Sequence, residues 1–197
     1  MARLSQRIQS CEFRLRLTLN LRPEDRQVLE AYPGQPLWPD FAVLAAGWAA
    51  LELGGRPLMY RGGVLLQPSA RPAVQDPLDL PESHIGDYIA LFAQRLLDAA
   101  IRVSTESEAL EHLANFADNP GCLALRCAGD RLRVAYRESP SGADVAVAHP
   151  GRRDFRETLA GAVEGYVAQV LAVNPALGAQ PDVVKLRTGV FALLRVV

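Results

Sequence analysis

The side chains best suited to chemistry are few and scattered. Glu82, His84 and Asp87 lie close together in the chain, and two carboxylates beside an imidazole form an acid–base set when they share a face. His84 and Asp87 are three apart, so a helix would make them neighbours. The simpler role for these acids is to complement the N-terminal dipole of that helix, with His84 on its surface. His84, His112 and His149 show no metal-ligand spacing, and no cysteine pair supports them, so neither a metal nor a cofactor is expected. The three cysteines, Cys11, Cys122 and Cys127, form no even framework for disulfides. Cys122 and Cys127 fall on opposite faces of one strand and are expected to be buried thiols. The chain carries no Gly-x-Ser-x-Gly elbow, no Cys-x-x-Cys pair, no Gly-x-Gly-x-x-Gly and no P-loop, and those are the common routes to nucleophilic catalysis, redox chemistry and nucleotide binding. No residue is assigned a catalytic role.

Two groups of arginines remain. In His149-Pro150-Gly151-Arg152-Arg153-Asp154, two cations stand where a helix begins, a position the helix dipole disfavours for positive charge. Backbone N–H groups and guanidinium forks together can hold a phosphate or carboxylate, which makes Arg152 and Arg153 a candidate anion pair. The plainer alternative leaves both solvated, with Asp154 and Glu157 satisfying the dipole. The second group is Arg131, Arg133 and Arg137. Strand alternation puts all three on one face at roughly 6–7 Å intervals. A wet sheet face would carry such residues, and so would a protein interface, where arginine is enriched.

The elements that position these residues are legible in part. Phe13, Leu15, Leu17 and Leu19 alternate with Arg14, Arg16 and Thr18, which predicts a strand over 11–20. A short helical turn is expected over 24–31. Asp40 is placed to cap an apolar helix over 41–53 ending at Gly54-Gly55, with Trp48 as a core anchor. A hairpin follows around Arg61-Gly62-Gly63, then a proline-rich arm over 68–81. Ser83 is placed to cap a helix over 84–103. Thr105 and Glu108 read as a capping box opening a short helix to Ala117. The segments 121–127 and 131–137 flank Ala128-Gly129-Asp130 as a hairpin, 144–149 reads as a third strand, and a helix is expected over 153–173. The tail, 183–197, is favoured as a buried strand, with a short helix as the alternative.

Composition narrows the class. The chain has 197 residues, 49% hydrophobic and 22% charged, with a formal net charge of −1, ordinary values for a globular protein able to bury a core. Segment 121–160 holds seven arginines against five acids, and 81–120 holds seven acids against Arg95 and Arg102. Neither supplies the broad cationic surface that nucleic acid requires. The longest apolar run, Phe41 to Leu51, is too short to span a bilayer. Residues 1–7 lack the apolar core of a signal peptide. A soluble, cytoplasmic protein is expected, with no contact with nucleic acid or membrane.

These readings combine into one α+β domain over 1–197: an antiparallel sheet with three or four helices packed on one face, and the arm or lobe boundary at 68–81. The order of elements over 121–173 resembles small bacterial immunity proteins of the polymorphic-toxin and contact-dependent systems. The matching residues are Leu123, Leu125, Gly129, Asp130, Leu132, Val134, Val145, Val147, Phe155 and Leu159. The resemblance implies a non-enzymatic cytoplasmic protein that blocks a cognate toxin by binding it. The chain departs from that pattern in being nearly neutral where many such proteins are acidic. Arg131, Arg133 and Arg137 are the expected contacts with a protein partner. The competing readings are a small enzyme or ligand-binding domain with a dispersed pocket, and a structural subunit of a larger assembly.

Overall fold

The computed structural model describes residues 13–32, 41, 45–61, 64–66, 76–79, 81–106 and 110–196. The expected cap at Asp40 and hairpin turn at Gly62-Gly63 lie outside them, as do Cys11, Glu108 and most of the arm, 68–75 and 80. The fold is α+β, with the strands divided over two four-stranded antiparallel sheets and a small separate hairpin. In the first sheet, β1 (Phe13–Leu19) pairs with β2 (Gly47–Leu53), whose other edge takes β3 (Arg56–Pro57) and β6 (His84–Asp87) end to end. The hairpin is β4 (Met59–Arg61) with β5 (Val64–Leu66). The second sheet is a meander of β7 (Glu111–Asn115), β8 (Cys122–Ala128), β9 (Arg131–Arg137) and β10 (Asp144–Ala148). The helices are α1 (Pro23–Glu30), α2 (Ile89–Thr105), α3 (Arg152–Val173) and α4 (Pro181–Arg195).

One buried cluster joins these elements. The long helix α3 lies against β1, where Phe155 meets Phe13 with ring centroids 4.9 Å apart. Its Tyr166 hydroxyl donates to the Ala45 carbonyl at 2.7 Å, and burial pushes that phenol above its ordinary pKa. Helix α2 covers the inner face of the second sheet: Phe92 stacks on Phe116 at 4.0 Å, and the Cys127 thiol donates to the Val103 carbonyl. Helix α4 packs on α2 at Gly189, where a Cβ would come within 2.9 Å of Leu97. Asp87 links the two sheets. Its carboxylate, 4% exposed, accepts from the backbone N–H groups of Tyr88, Ala117 and Asp118 at 2.6, 2.7 and 2.8 Å. It thus ties the end of β6 to the loop that leaves β7.

Four local expectations are overturned, each by pairing or packing that outweighs local pattern. Residues 47–53 form a strand and not the end of a helix. Ala49, Leu51 and Leu53 face inward, and Ala50 and Glu52 are buried as well, so no wet face betrays the alternation. Gly47 is required there, since a Cβ would lie 2.0 Å from the Thr18 carbonyl oxygen. Trp48 is accordingly half-buried on the outer face, stacked on His84 at 4.6 Å, and is no core anchor. Residues 84–87 form β6 because they complete the free edge of β2, and the helix begins only at Ile89. Thr105 ends that helix, its hydroxyl bonding back to the Ile101 carbonyl, and residues 111–115 form β7 in place of a helix. The tail is a helix: Val183, Leu186, Val190 and Leu193 are buried at helical spacing, and this period wins over the alternation that favoured a strand.

The described end of the proline-rich arm is strapped to the first sheet. Arg14 donates to Glu52 at 2.9 Å and to Asp76, and Arg16 donates to Asp79. The Arg14 guanidinium holds the Asp76 carboxyl below the usual carboxylate range.

Candidate functional site

The second sheet has two different faces. Leu123, Leu125, Cys127, Leu132, Val134 and Tyr136 point into the core. On the other face stand Arg126, Arg131, Arg133 and Arg137, with Glu111 and Leu113 from β7 and Asp144 and Val147 from β10. Short side chains floor this face: Cys122, Ala124 and Ala135 are fully buried. Longer ones arch over them. Arg137 donates to both oxygens of Glu111, at 2.7 and 2.9 Å, and through Nε to Asp144 at 2.7 Å. Because β8 lies between β7 and β9, the Arg137–Glu111 fork crosses an entire strand. Arg133 donates to Asp144 as well, and these two arginines hold the Asp144 carboxyl below its ordinary pKa.

The predicted arginine strip therefore exists as a face but not as three equivalent solvated cations. Arg137, with its side chain 15% exposed, and Arg133 are held by acids of neighbouring strands. Arg131 is exposed at the turn. Sequence reasoning missed Arg126, an exposed cation directly opposite Arg133 on β9 and Glu111 on β7. The missed signal is the hairpin register: the pairing of Ala128 with Arg131 across Gly129-Asp130 sets Arg126 beside Arg133. Glu111 turns its carboxylate to Arg137, and Asp144 divides its own between Arg133 and Arg137, so Arg126 stands beside Arg133 with neither acid directed to it, and like charges opposite one another disfavour the isolated sheet.

The other sequence candidates are dispersed. On β6, His84 faces outward and Asp87 inward, so with Glu82 they form no common acid–base site. Arg152 reaches back to the Gly129 carbonyl at 2.6 Å, and Arg153 pairs with Glu157 one turn along α3 at 2.7 Å. The two guanidiniums are thus committed in different directions. Among the described residues, no three His, Cys, Asp or Glu side chains are grouped to hold a metal ion, and no helix is long and apolar enough to cross a membrane.

A second feature carries no sequence signature. An open groove of about 470 Å³ runs between β1 and α3, lined by Leu15, Leu17, Thr158, Gly161, Gly165 and Gln169 among others. Chain-wide comparison finds no matching family model, no matching curated protein and no matching solved structure.

Two predictions arise from this geometry. Cys122 and Cys127 are both buried, and burial pushes the Cys122 thiol up in pKa. Aqueous thiol reagents are expected to label both slowly in the native protein at neutral pH. Rapid reaction of either would show a stabilised thiolate instead. The second concerns Arg137→Ala, expected to cost about 1–2 kcal/mol because two partly buried carboxylates lose a charge-assisted partner. Asp144 titrates lower in the folded protein than in the unfolded chain, where aspartate titrates near about 3.9. Its contribution is therefore complete above that value and is lost as pH falls through the lower folded one. The stability gap between wild type and Arg137→Ala should narrow across that acid range in a urea titration. A gap independent of pH would remove the ionic account.

Proposed function

We propose that this protein is a non-enzymatic protein-binding module whose contact surface is the outer face of the second sheet, and that it neutralises a cognate bacterial toxin as an immunity protein. The observation carrying this reading is the charge pattern of that face. Four arginines stand on adjacent strands with Glu111 and Asp144, and those carboxylates are turned to Arg133 and Arg137. An acidic partner surface offers Arg126 the counter-charge its own sheet directs elsewhere. The Glu111 and Asp144 contacts hold the Arg137 and Arg133 side chains in place before binding, which lowers the ordering cost of association. Exposed Leu113 adds an apolar contact beside the cations, the mixture common at interfaces.

The test begins with the product of the gene adjoining this one. Co-expression should protect cells from that product if it is the toxin, and the two proteins should co-purify. The double substitution Arg126→Glu with Arg131→Glu should abolish protection while leaving thermal stability within about 0.5 kcal/mol, as exposed changes do. Full protection by the double variant would remove the arginine face from the proposal. Absence of any toxicity or complex would remove the immunity role.

A further inference from the structure

We infer that the outer face of the second sheet holds a seat for one carboxylate, a glutamate or aspartate side chain of the partner protein, placed between Arg126 and Arg133. The charges of this face form a chain that alternates in sign. Arg137 donates to both Glu111 oxygens at 2.7 and 2.9 Å and to one Asp144 oxygen at 2.7 Å. Arg133 donates to the other Asp144 oxygen. After Arg133 the alternation breaks, because the residue directly opposite it on β8 is Arg126. Opposed side chains on neighbouring strands have Cβ atoms about 5 Å apart, and like charges at that spacing repel. One carboxylate between the two would complete the order Glu111, Arg137, Asp144, Arg133, carboxylate, Arg126.

The donors that such a group needs are in place. Arg133 gives Asp144 a single terminal nitrogen, and its Nε and second terminal nitrogen make no hydrogen bond among the described residues. Arg126 is exposed and makes no hydrogen bond or ion pair among them. Glu111 lies opposite Arg126 on β7 but commits both oxygens to Arg137. Room is present as well: Arg126 is flanked on its own face of β8 by Ala124 and Ala128, so no large side chain of that strand stands over it. Guanidinium forks match a carboxylate with paired N–H donors. Within this chain three arginines face two acids, so one negative charge is missing, which a carboxylate supplies and a phosphate dianion exceeds. Exposed Leu113, on the same face of β7, gives the methylenes of an acidic side chain an apolar contact, which a bare chain terminus lacks.

The seat rests on the reading of this face as a contact surface, yet it is probed without any toxin. A toxin that binds a face with no saturable carboxylate uptake would overturn the seat alone; a seat on a protein that meets no toxin would overturn immunity alone. The guanidinium Nε–H signals of the intact protein would be followed by NMR, at constant ionic strength, as the capped peptide acetyl-Gly-Glu-Gly-amide is added. Arg126 and Arg133 should shift along one saturating curve, while exposed Arg195 shifts only in proportion to added peptide. Arg126→Gln should weaken the affinity read at Arg133 at least fivefold. The glutamine counterpart of the peptide should not bind, and acetyl-Gly-Gly-Gly with a free C-terminus should bind at least threefold more weakly. Separately, Arg126→Gln should raise the melting midpoint by about 1–2 °C at low salt by relieving the repulsion, a gain that fades as salt is added. An unchanged or lowered midpoint would overturn the seat, by showing that no repulsion awaits an anion. So would an absence of saturation at Arg126, a curve shared with Arg195, or tighter binding of the free-ended peptide.

Discussion

Replacing Asp87 with alanine is expected to destabilise the protein by about 3 kcal/mol, since backbone donors at a largely buried site lose their acceptor together. Tyr88, Ala117 and Asp118 all donate to this carboxylate, so the loss falls on the junction between the two sheets. Asp87→Asn preserves shape but keeps only one acceptor oxygen, and should cost about half as much. Urea unfolding gives both numbers, and an unchanged slope would show that the unfolded state is unaffected. Hydrogen exchange at Ala117 and Asp118 should rise in both variants well before the strands of the second sheet respond. If Asp87→Ala cost under about 1 kcal/mol, water would satisfy these donors and the junction would not depend on the carboxylate.

The second large effect is expected at Phe155. Its ring is fully buried and packs on Phe13 between α3 and β1. Phe155→Ala should cost about 3–5 kcal/mol, the loss of transfer free energy plus the cavity left behind. Phe191 on α4 provides the control. It is 56% exposed, with Arg195 above its ring at 3.9 Å. Phe191→Ala should change stability by no more than about 1 kcal/mol, the scale of an exposed cation–π contact. Equal costs at the two positions would contradict the placement of α3 against β1.

The contrast between these helices shows which features of the fold were legible in the sequence. Phe155, Leu159, Tyr166 and Val170 recur at helical spacing with polar residues between, so α3 was readable to within a residue. The hairpin of β8 and β9 was equally plain, because one face is apolar and Gly129, with φ of +65°, marks the turn. β2 was not readable, since Gly47–Leu53 is buried on nearly both sides and an alternation without a wet face resembles an apolar helix. The tail failed for the opposite reason. Its exposed positions include Val184, Phe191 and Leu194, so apolar residues on the wet side of α4 imitated a two-sided strand.

Site residues divide along similar lines. Alternation alone placed Arg131, Arg133 and Arg137 on one face. That Arg133 and Arg137 would be held by acids could not be read locally, because Glu111 and Asp144 reach them from β7 and β10, 26 and 7 residues from Arg137. Arg126 needed only the hairpin register. The groove beside β1 was invisible, since Gln169 and Leu19 are 150 residues apart, and helical glycines declare their openness only once a neighbouring strand is placed.

Binding of an acidic protein surface by the arginine face, as proposed, should be read in the salt dependence of the affinity. The partner's affinity for wild type and for Arg126→Glu with Arg131→Glu would be measured by calorimetry from about 0.05 to about 0.5 M salt, a range over which the screening length falls severalfold. The predicted result is that wild-type affinity falls steeply as salt rises. The variant should bind at least tenfold more weakly at the lowest salt, and the two should converge at the highest. Equal affinities at low salt, or a loss that does not depend on salt, would contradict the assignment of this face.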